Sequence, residues 1–206
     1  MWDFNHMHEV KKKLKRGNSA YRAALEEVIQ TADKALQRGP YSVTYKNIIP
    51  QGGTKNDYMS MAPYWWPDPA KPDGLPYIRH DGVVNPKSSI DKDQLRGLIE
   101  DVRSLSLAWY FSGKKDYAHK AADLLRVWFL DPETLMNPHL EYGQAVPGRS
   151  TGRGIGIIDT KSLSSKIDFL DKINKSICFS SSPIPQFSDF VSSIRSSDKR
   201  LLPPGV

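Results

Sequence analysis

The sequence predicts an all-α fold on two observations. Apolar residues recur every three or four positions in several segments, and residues that begin or end helices stand at the boundaries of those segments. Residues 4–16 have the pattern of a short basic helix that Gly17 ends. Asn18 or Ser19 can cap the next helix, which runs towards Gly39. Its apolar face consists of Tyr21, Leu25, Val28, Ile29, Ala32 and Leu36.

Two further helices are predicted in the middle of the chain. The first begins at Asp91, which with Gln94 three positions later matches a capping box, and it ends at Gly113. The second begins at Asp116 and ends near Asp131. Because only a short stretch separates them, they are expected to form an antiparallel helix hairpin. The facing apolar residues are Leu95, Leu98, Val102, Leu105 and Trp109 in one helix, and Tyr117, Ala121, Leu124, Leu125 and Trp128 in the other.

Three other segments complete the predicted order. Residues 41–49 contain alternating β-branched and aromatic residues, which favours a short extended strand. A helix is expected from Asp159 or Thr160 to about residue 176. The remainder is rich in serine and proline and has little periodicity. The chain is therefore expected to contain one helical domain, residues 1–176, and a divergent, disordered tail, residues 177–206.

A long loop rich in proline and aromatic residues, residues 55–86, separates the second and third predicted helices. Its six prolines fix φ and bias the preceding residues towards extended conformations, which excludes a helix. Disordered linkers lack large aromatic residues, so an ordered loop is expected. The rings either wedge helices together or form a platform on which a sugar ring stacks, and the sequence leaves both open. They are the rings of Tyr58, Tyr64, Trp65, Trp66 and Tyr77.

Charge and composition narrow the class of partner. The chain has 29 Lys and Arg residues against 23 Asp and Glu, a formal net charge of +6, which favours an anionic partner. A nucleic acid is not expected, because Asp57, Asp68 and Asp73 surround the tryptophans and repel phosphates. The glycine-rich residues 148–156 lack the Gly-Lys-Ser/Thr of a phosphate-binding loop. No Cys/His cluster has the spacing of metal ligands, so no metal or cofactor is expected.

Four long motifs resemble, in the same order, those of the alginate lyase family. They are Lys-Asn-Asp-Tyr-Met-Ser-Met-Ala-Pro-Tyr-Trp-Trp-Pro-Asp-Pro, Leu-Arg-Val-Trp-Phe-Leu-Asp-Pro, Met-Asn-Pro-His-Leu-Glu-Tyr-Gly-Gln and Gly-Arg-Gly-Ile-Gly-Ile-Ile-Asp-Thr. The similarity covers about residues 21–170. It implies an incomplete (α/α) toroid built from antiparallel helix hairpins. It also implies a polysaccharide lyase that cleaves a uronate polymer such as alginate by β-elimination.

The resemblance also sets expectations about location and completeness. It implies a periplasmic or secreted protein, whereas the chain has no apolar stretch that matches a signal peptide or a bilayer span. In this family an Asn-His pair on a later helix normally serves catalysis, and the chain has no histidine after His139. A truncated, N-terminal part of such an enzyme is therefore expected. The alternative function is a non-catalytic fragment that retains a carbohydrate-binding surface.

The chemistry of β-elimination indicates which residues to consider. The reaction needs a group that neutralises the substrate carboxylate, a general base, and an acid for the leaving oxygen. The loop after residue 136 contains Asn, His, Tyr, Gln and Arg, which can fill these roles. With the resemblance added, the predicted catalytic residues are Tyr142, Arg153 and His139, and the predicted substrate-binding residues are Tyr64, Trp65, Trp66, Asn137, Gln144 and Arg149.

Each of these residues also has an ordinary structural interpretation. Asn137 precedes a proline, as is common in turns, and His139 can be a surface or capping histidine. Tyr142 and Gln144 can satisfy backbone groups of the loop. The two arginines can be solvent-exposed charges between glycines. The sequence leaves these alternatives open.

Overall fold

The structure is a computed structural model, and it describes residues 3–160. Helices make up about half of this part, with α1 at Phe4–Lys15, α2 at Arg22–Leu36, α3 at Lys92–Ser112 and α4 at Lys115–Phe129. These four positions confirm the four helices predicted within this part of the chain. The helix expected after Asp159 lies almost entirely outside the described residues, and the predicted tail lies wholly outside them.

The residues that begin and end the first helices act as the sequence indicates. Gly17, just after α1, and Gly113, just after α3, both have left-handed backbones, with φ of 83° and 77°. Glycine adopts this conformation without steric cost, and the reversal exposes the last carbonyls to new partners. Asn18 caps the short 3₁₀ turn before α2, because its side chain accepts a hydrogen bond from the Ala20 N–H at 2.9 Å.

The predicted capping box at Asp91 is wrong. The Asp91 side chain makes no capping hydrogen bond to α3. It turns away from the helix, accepts a hydrogen bond from the Met59 N–H at 2.8 Å and pairs with Lys46 Nζ at 2.9 Å. Both side chains of this ion pair are almost fully buried. A buried lysine offsets the cost of burying a carboxylate more strongly than a backbone N–H at a partly solvated helix end does. The Asp91 side chain therefore points towards Lys46 and not towards the helix.

The core lies where α3 packs against α2 and α4. Leu105, Leu124 and Trp128 each have an exposed fraction of 1% or less. Removing a buried ring as large as that of Trp128 typically costs about 3–5 kcal/mol. The short connection at Gly113 brings α3 and α4 into direct contact, which fixes the start of the segment that follows α4.

Two small sheets complete the described part. Strand β1 (Met59–Met61) pairs in parallel with β4 (Tyr142–Ala145), and β2 (Trp65–Trp66) pairs antiparallel with β3 (Ile78–Arg79). The aromatic loop is thus ordered and free of α-helix, as predicted. The sheets themselves were not predicted, because strands of two to four residues leave too little periodicity to recognise.

The strand predicted at residues 41–49 is wrong. Val43–Tyr45 forms a 3₁₀ turn, and Val43 is completely buried. Ser42 directs this turn, because its Oγ accepts a hydrogen bond from the Thr44 N–H at 2.9 Å and donates one to the Thr134 carbonyl at 2.7 Å. A serine side chain that binds the backbone two residues ahead competes with the ladder of a strand.

Within residues 3–160, no helix is both long enough and apolar enough to cross a membrane.

Candidate functional site

The parallel pair of β1 and β4 organises the candidate site. Met59 lies opposite Tyr142, and Met61 lies opposite Ala145. All four residues of β4 are buried. The pairing brings the start of the aromatic loop against the segment from residue 137 to residue 153, where most of the predicted site residues lie. Backbone pairing therefore assembles two parts of the chain that are far apart in sequence.

Asp57 lies at the centre of a cluster that contains two of the predicted residues. Its Oδ1 accepts a hydrogen bond from Asn137 Nδ2 at 2.6 Å and contacts His139 Nε2 at 3.0 Å. Its Oδ2 accepts from the Thr54 N–H at 2.6 Å and from Thr54 Oγ1 at 3.2 Å. Burial raises the pKa of the Asp57 carboxyl. The hydrogen bonds from Asn137 and Thr54 oppose this effect, and the net pKa of the carboxyl is lowered.

Tyr142 lies beside this cluster. Its ring is in edge contact with that of His139, with 6.1 Å between the ring centroids. Only 7% of the residue is exposed. Burial raises the pKa of the Tyr142 hydroxyl, and the negative charges of Glu141 and Asp57 raise it further. The phenol is therefore protonated at neutral pH and suited to donate a proton.

Gln144 has an unusual backbone. It is the one residue other than glycine with a φ above 20° in the described part of the chain, at 56°. Its N–H donates to Ser60 Oγ at 2.8 Å, and its Nε2 donates to Asp159 Oδ1 at 3.1 Å. Arg153 holds it from the other side, with Nε on the Gln144 carbonyl at 2.9 Å and Nη2 on Oε1 at 3.1 Å. Arg153 thus uses two of its five N–H groups to fix Gln144.

A second buried carboxylate, Asp159, supports Gln144. Its side chain is fully buried and accepts hydrogen bonds from Ser60 Oγ at 2.6 Å and Tyr58 Oη at 3.2 Å. Lys92 Nζ, at the start of α3, lies 3.2 Å from Asp159 Oδ1. Burial and the charge of Asp159 raise the pKa of the Tyr58 hydroxyl well above its ordinary value, so this phenol is a donor here.

Four of the five aromatic residues of the loop are exposed or half-buried, whereas Tyr58 is fully buried. Tyr64 is 40% exposed, whereas Trp65 and Trp66 are half-buried. The Trp66 indole donates a hydrogen bond to the Val83 carbonyl at 3.0 Å. The Arg149 guanidinium lies 5.4 Å from the centre of the Trp65 ring, and its Nε donates to the Tyr77 carbonyl at 3.0 Å. Both interpretations of the rings, wedge and platform, remain compatible with these positions.

A cleft of about 470 Å³ runs along the same pair of strands. Met59 of β1 and Ala145 of β4 form part of its wall, and Arg149 supplies a positive charge. The remaining lining residues are Pro50, Gln51, Leu75, Pro147, Gly148, Ser150 and Thr151. A groove with apolar walls, hydroxyl groups and one arginine suits a hydroxylated anionic ligand.

The structure therefore sorts seven of the nine predicted residues into three groups. Asn137 and His139 contact Asp57, with Tyr142 against His139. Gln144 and Arg153 form the second group, and Arg149 and Trp65 form the third. Tyr64 and Trp66 lie in the same loop, and neither has a side-chain hydrogen bond to another predicted residue within residues 3–160.

Sequence reasoning missed Asp57, Asp159 and Ser60. Asp57 was interpreted only as a surface charge that repels phosphate, and Asp159 only as a helix cap. Both carboxylates are buried instead. The available signal was their position inside two of the four motifs that carry the family resemblance, but a sequence does not show burial. Among residues 3–160 no group of three or more His, Cys, Asp or Glu side chains is arranged to hold a metal ion.

Comparisons with known proteins agree on one family. A family model described as alginate lyase matches residues 42–185. The crystal structure of an alginate lyase from Bacteroides ovatus is similar, with a TM-score of 0.74 and 36% sequence identity, over 93% of this chain and 61% of that one. The chain thus spans about three fifths of the length of this relative. A comparison with curated proteins found no match.

Proposed function

Because the chain belongs to the alginate lyase family, we propose that it acts on a uronate polymer such as alginate and cleaves it by β-elimination. The observation that carries this proposal is the contact of His139 with Tyr142 beside β1 and β4, the strands that also form the cleft. A base and an acid held side by side are what an elimination requires. The net charge of +6 favours an anionic polymer as the substrate.

The reaction breaks two bonds and forms one double bond. A base removes the proton on the carbon next to the uronate carboxylate. The electron pair left behind forms a carbon–carbon double bond and expels the glycosidic oxygen, which takes a proton from an acid. The product is one chain with an unsaturated end and one with a new hydroxyl group. No water is consumed.

We assign the acid and the base from protonation states, and the carboxylate-binding residues from the N–H groups that are not used within the protein. The Tyr142 phenol is protonated at neutral pH and lies against the imidazole of His139, which favours Tyr142 as the acid and His139 as the base. Arg153 has three N–H groups beyond the two that bind Gln144, and these can face the substrate carboxylate. Arg149, in the wall of the cleft, is the second candidate for carboxylate binding. Tyr64 and Trp65 are candidates for sugar stacking.

We further propose that the helices form the first pairs of an incomplete (α/α) toroid. The contact of α3 with α4 across a two-residue connection supports this arrangement. The toroid would include residues 1–176, and residues 177–206 would be a separate divergent tail. In this arrangement the cleft lies on the loops that join the helices rather than inside a helix pair.

A second candidate function is polyuronate binding without turnover. His139 is the last histidine of the chain, whereas the family resemblance implies a further Asn-His pair on a later helix. A chain without that pair retains the cleft, Arg149 and the aromatic loop, all of which serve binding. This function requires no acid or base, so it is separable from the first by experiment.

The test of the proposal is ultraviolet absorbance of the unsaturated product, measured with the full chain and a panel of polyuronates. We expect a steady rise with the wild-type protein and a loss of about 10²–10⁴-fold in kcat for Tyr142→Phe, since the ring stays while the proton donor is removed. Arg153→Ala is expected to reduce the rate as well. Arg126→Ala, an exposed arginine of α4, is the control and should not change it.

The outcomes of this experiment distinguish the candidates. Full activity in Tyr142→Phe contradicts the role of Tyr142 as the acid. No rise from a folded protein that still binds polyuronate in calorimetry rejects the lyase and supports the binding function. In that case Arg149→Ala should weaken binding and Arg126→Ala should not. Neither turnover nor binding rejects both candidates.

A further inference from the structure

We propose that Asp57 is a positioning residue, which holds His139 with its proton on Nε2 and its lone pair on Nδ1, and turns the carbonyl oxygen of Asn137 outwards. The catalytic consequence of this inference rests on the proposed function, since it concerns the same histidine. The arrangement of protons itself does not depend on that function. Asp57 is almost fully buried, so it acts through its two neighbours, Asn137 and His139.

The carboxylate of Asp57 is saturated by donors. Only 4% of the residue is exposed, and four donor groups surround its two oxygens. Asn137 and His139 share Oδ1, whereas the N–H and the hydroxyl of Thr54 share Oδ2. An ionised carboxylate only accepts hydrogen bonds. Each group that faces it must therefore present a hydrogen.

This requirement determines the tautomer of His139. Nε2 lies 3.0 Å from Asp57 Oδ1, so Nε2 carries the hydrogen. The Glu141 N–H points at Nδ1 from 3.4 Å, which is possible only if Nδ1 carries a lone pair. Both contacts therefore select the same neutral form. The side chain is 36% exposed, so a ligand can reach the imidazole.

The same reasoning determines the amide of Asn137. Its Nδ2 donates to Asp57 Oδ1 at 2.6 Å and approaches Thr54 Oγ1 at 3.4 Å, which engages both N–H groups. The reverse orientation would place the amide oxygen against the carboxylate. Asn137 therefore offers an oxygen to the site, so it can bind a sugar hydroxyl but cannot donate to a substrate carboxylate. Neutralising that carboxylate falls to the arginines.

Nitrogen NMR of histidine-labelled protein tests the proposal without any turnover. The signal of His139 is assigned, at mildly alkaline pH, as the one that His139→Gln lacks. We expect the chemical shifts of an Nε2–H tautomer in the wild-type protein. In Asp57→Asn we expect a mixture of both tautomers, because an asparagine can accept from Nε2 or donate to it.

The control is Asp101→Asn, which removes an equally buried carboxylate that holds Arg38 and Tyr41 away from the site. This variant should lower thermal stability and leave the His139 signal unchanged. A wild-type Nδ1–H tautomer overturns the proposal, and so does an unchanged tautomer in Asp57→Asn. If Asp57→Asn does not fold, the wild-type tautomer decides the question by itself.

Kinetics then connects the arrangement with catalysis. If the chain is a lyase, Asp57→Asn should lower kcat by about 10–100-fold, the usual effect of removing a group that orients a functional histidine, and change KM little. A larger change in KM than in kcat contradicts positioning of the base. Absence of turnover in the wild-type protein rejects the proposed function, whereas the NMR result still supports or overturns the role of Asp57.

Discussion

At the scale of single residues, Gln144 shows how the site holds a strained conformation. A positive φ in a residue other than glycine costs on the order of 1–3 kcal/mol and persists only where the surroundings determine it. Ser60, Asp159 and Arg153 supply that determination through hydrogen bonds to the backbone and the side chain of Gln144. These hydrogen bonds therefore hold the Gln144 side chain between two charged partners, one of which, Arg153, is a candidate for binding the substrate carboxylate.

Gly152 is a residue whose replacement we expect to disrupt this arrangement. A methyl group at this position would lie 1.7 Å from the Glu141 carbonyl oxygen and 3.1 Å from the Tyr142 Cα, both backbone atoms that cannot move aside alone. Gly152→Ala should therefore lower the free energy of unfolding by at least about 3 kcal/mol, the upper end of the usual cost of overpacking. Urea unfolding followed by tryptophan fluorescence measures it.

The control for Gly152→Ala is Gly113→Ala. Gly113 has a positive φ and no atom within 4 Å of the added methyl group, so only the backbone strain applies. We expect a loss of about 1–2 kcal/mol there, with the site undisturbed. Equal losses in the two variants would contradict a specific clash at Gly152.

At the scale of elements, Asp91 and Lys46 join the start of α3 to β1. Lys46 Nζ donates to the carbonyls of Val43, Lys55 and Asp57 at 2.7–2.8 Å in addition to its contact with Asp91. Burial lowers the pKa of Lys46, although Asp91 raises it in part. The ammonium group of Lys46 thus fixes three backbone carbonyls. One of them belongs to Asp57, the residue that contacts His139.

The same pair predicts a dependence of stability on pH. Burial raises the pKa of Asp91 from 3.8 to about 6, against the opposing effects of Lys46 and the Met59 N–H. Since the folded pKa lies above the unfolded one, the contribution of this carboxyl to stability is fully present below pH 3.8 and is lost as the pH rises through about 6. The loss should be on the order of 3 kcal/mol.

Urea unfolding across this range of pH measures the effect as the difference between wild type and Asp91→Asn. The free energy of unfolding of the wild-type protein minus that of Asp91→Asn should decrease from the acid to the neutral end, because the variant has no carboxyl at this position. A difference that grows with pH, or that does not change, would show that Lys46 compensates for the burial of Asp91 more fully than we infer.

At the scale of the whole molecule, the sequence predicted the helices and not the small sheets. Periodicity over twelve or more residues identifies α1 to α4, because burial repeats along one face of each helix. Strands of two to four residues offer no such repeat. The predicted strand at residues 41–49 and the capping box at Asp91 failed for a related reason. In each case a side chain binds a partner that lies far away in sequence: Ser42 binds the Thr134 carbonyl, and Asp91 binds Lys46.

The candidate site was predictable in its residue types but not in its connections. The requirements of β-elimination and the family resemblance together indicated Asn137, His139 and Tyr142. They did not indicate that Asp57 joins the first two residues, because that contact crosses about 80 positions of the chain. Sequence reasoning selects residues by chemistry, whereas burial and hydrogen-bond partners follow from the fold.

The parallel pairing of β1 with β4 has a consequence for the order of folding. Met59 and Tyr142 are about 80 residues apart, and α3 and α4 lie between them. Closing so long a loop costs chain entropy that neighbouring helices do not have to overcome, so contacts within the helices form first. In pulse-labelling hydrogen exchange during refolding, amides of α3 and α4 should gain protection before those of Gln144 and Ala145. A newly made chain would thus form its helices first and its candidate site last.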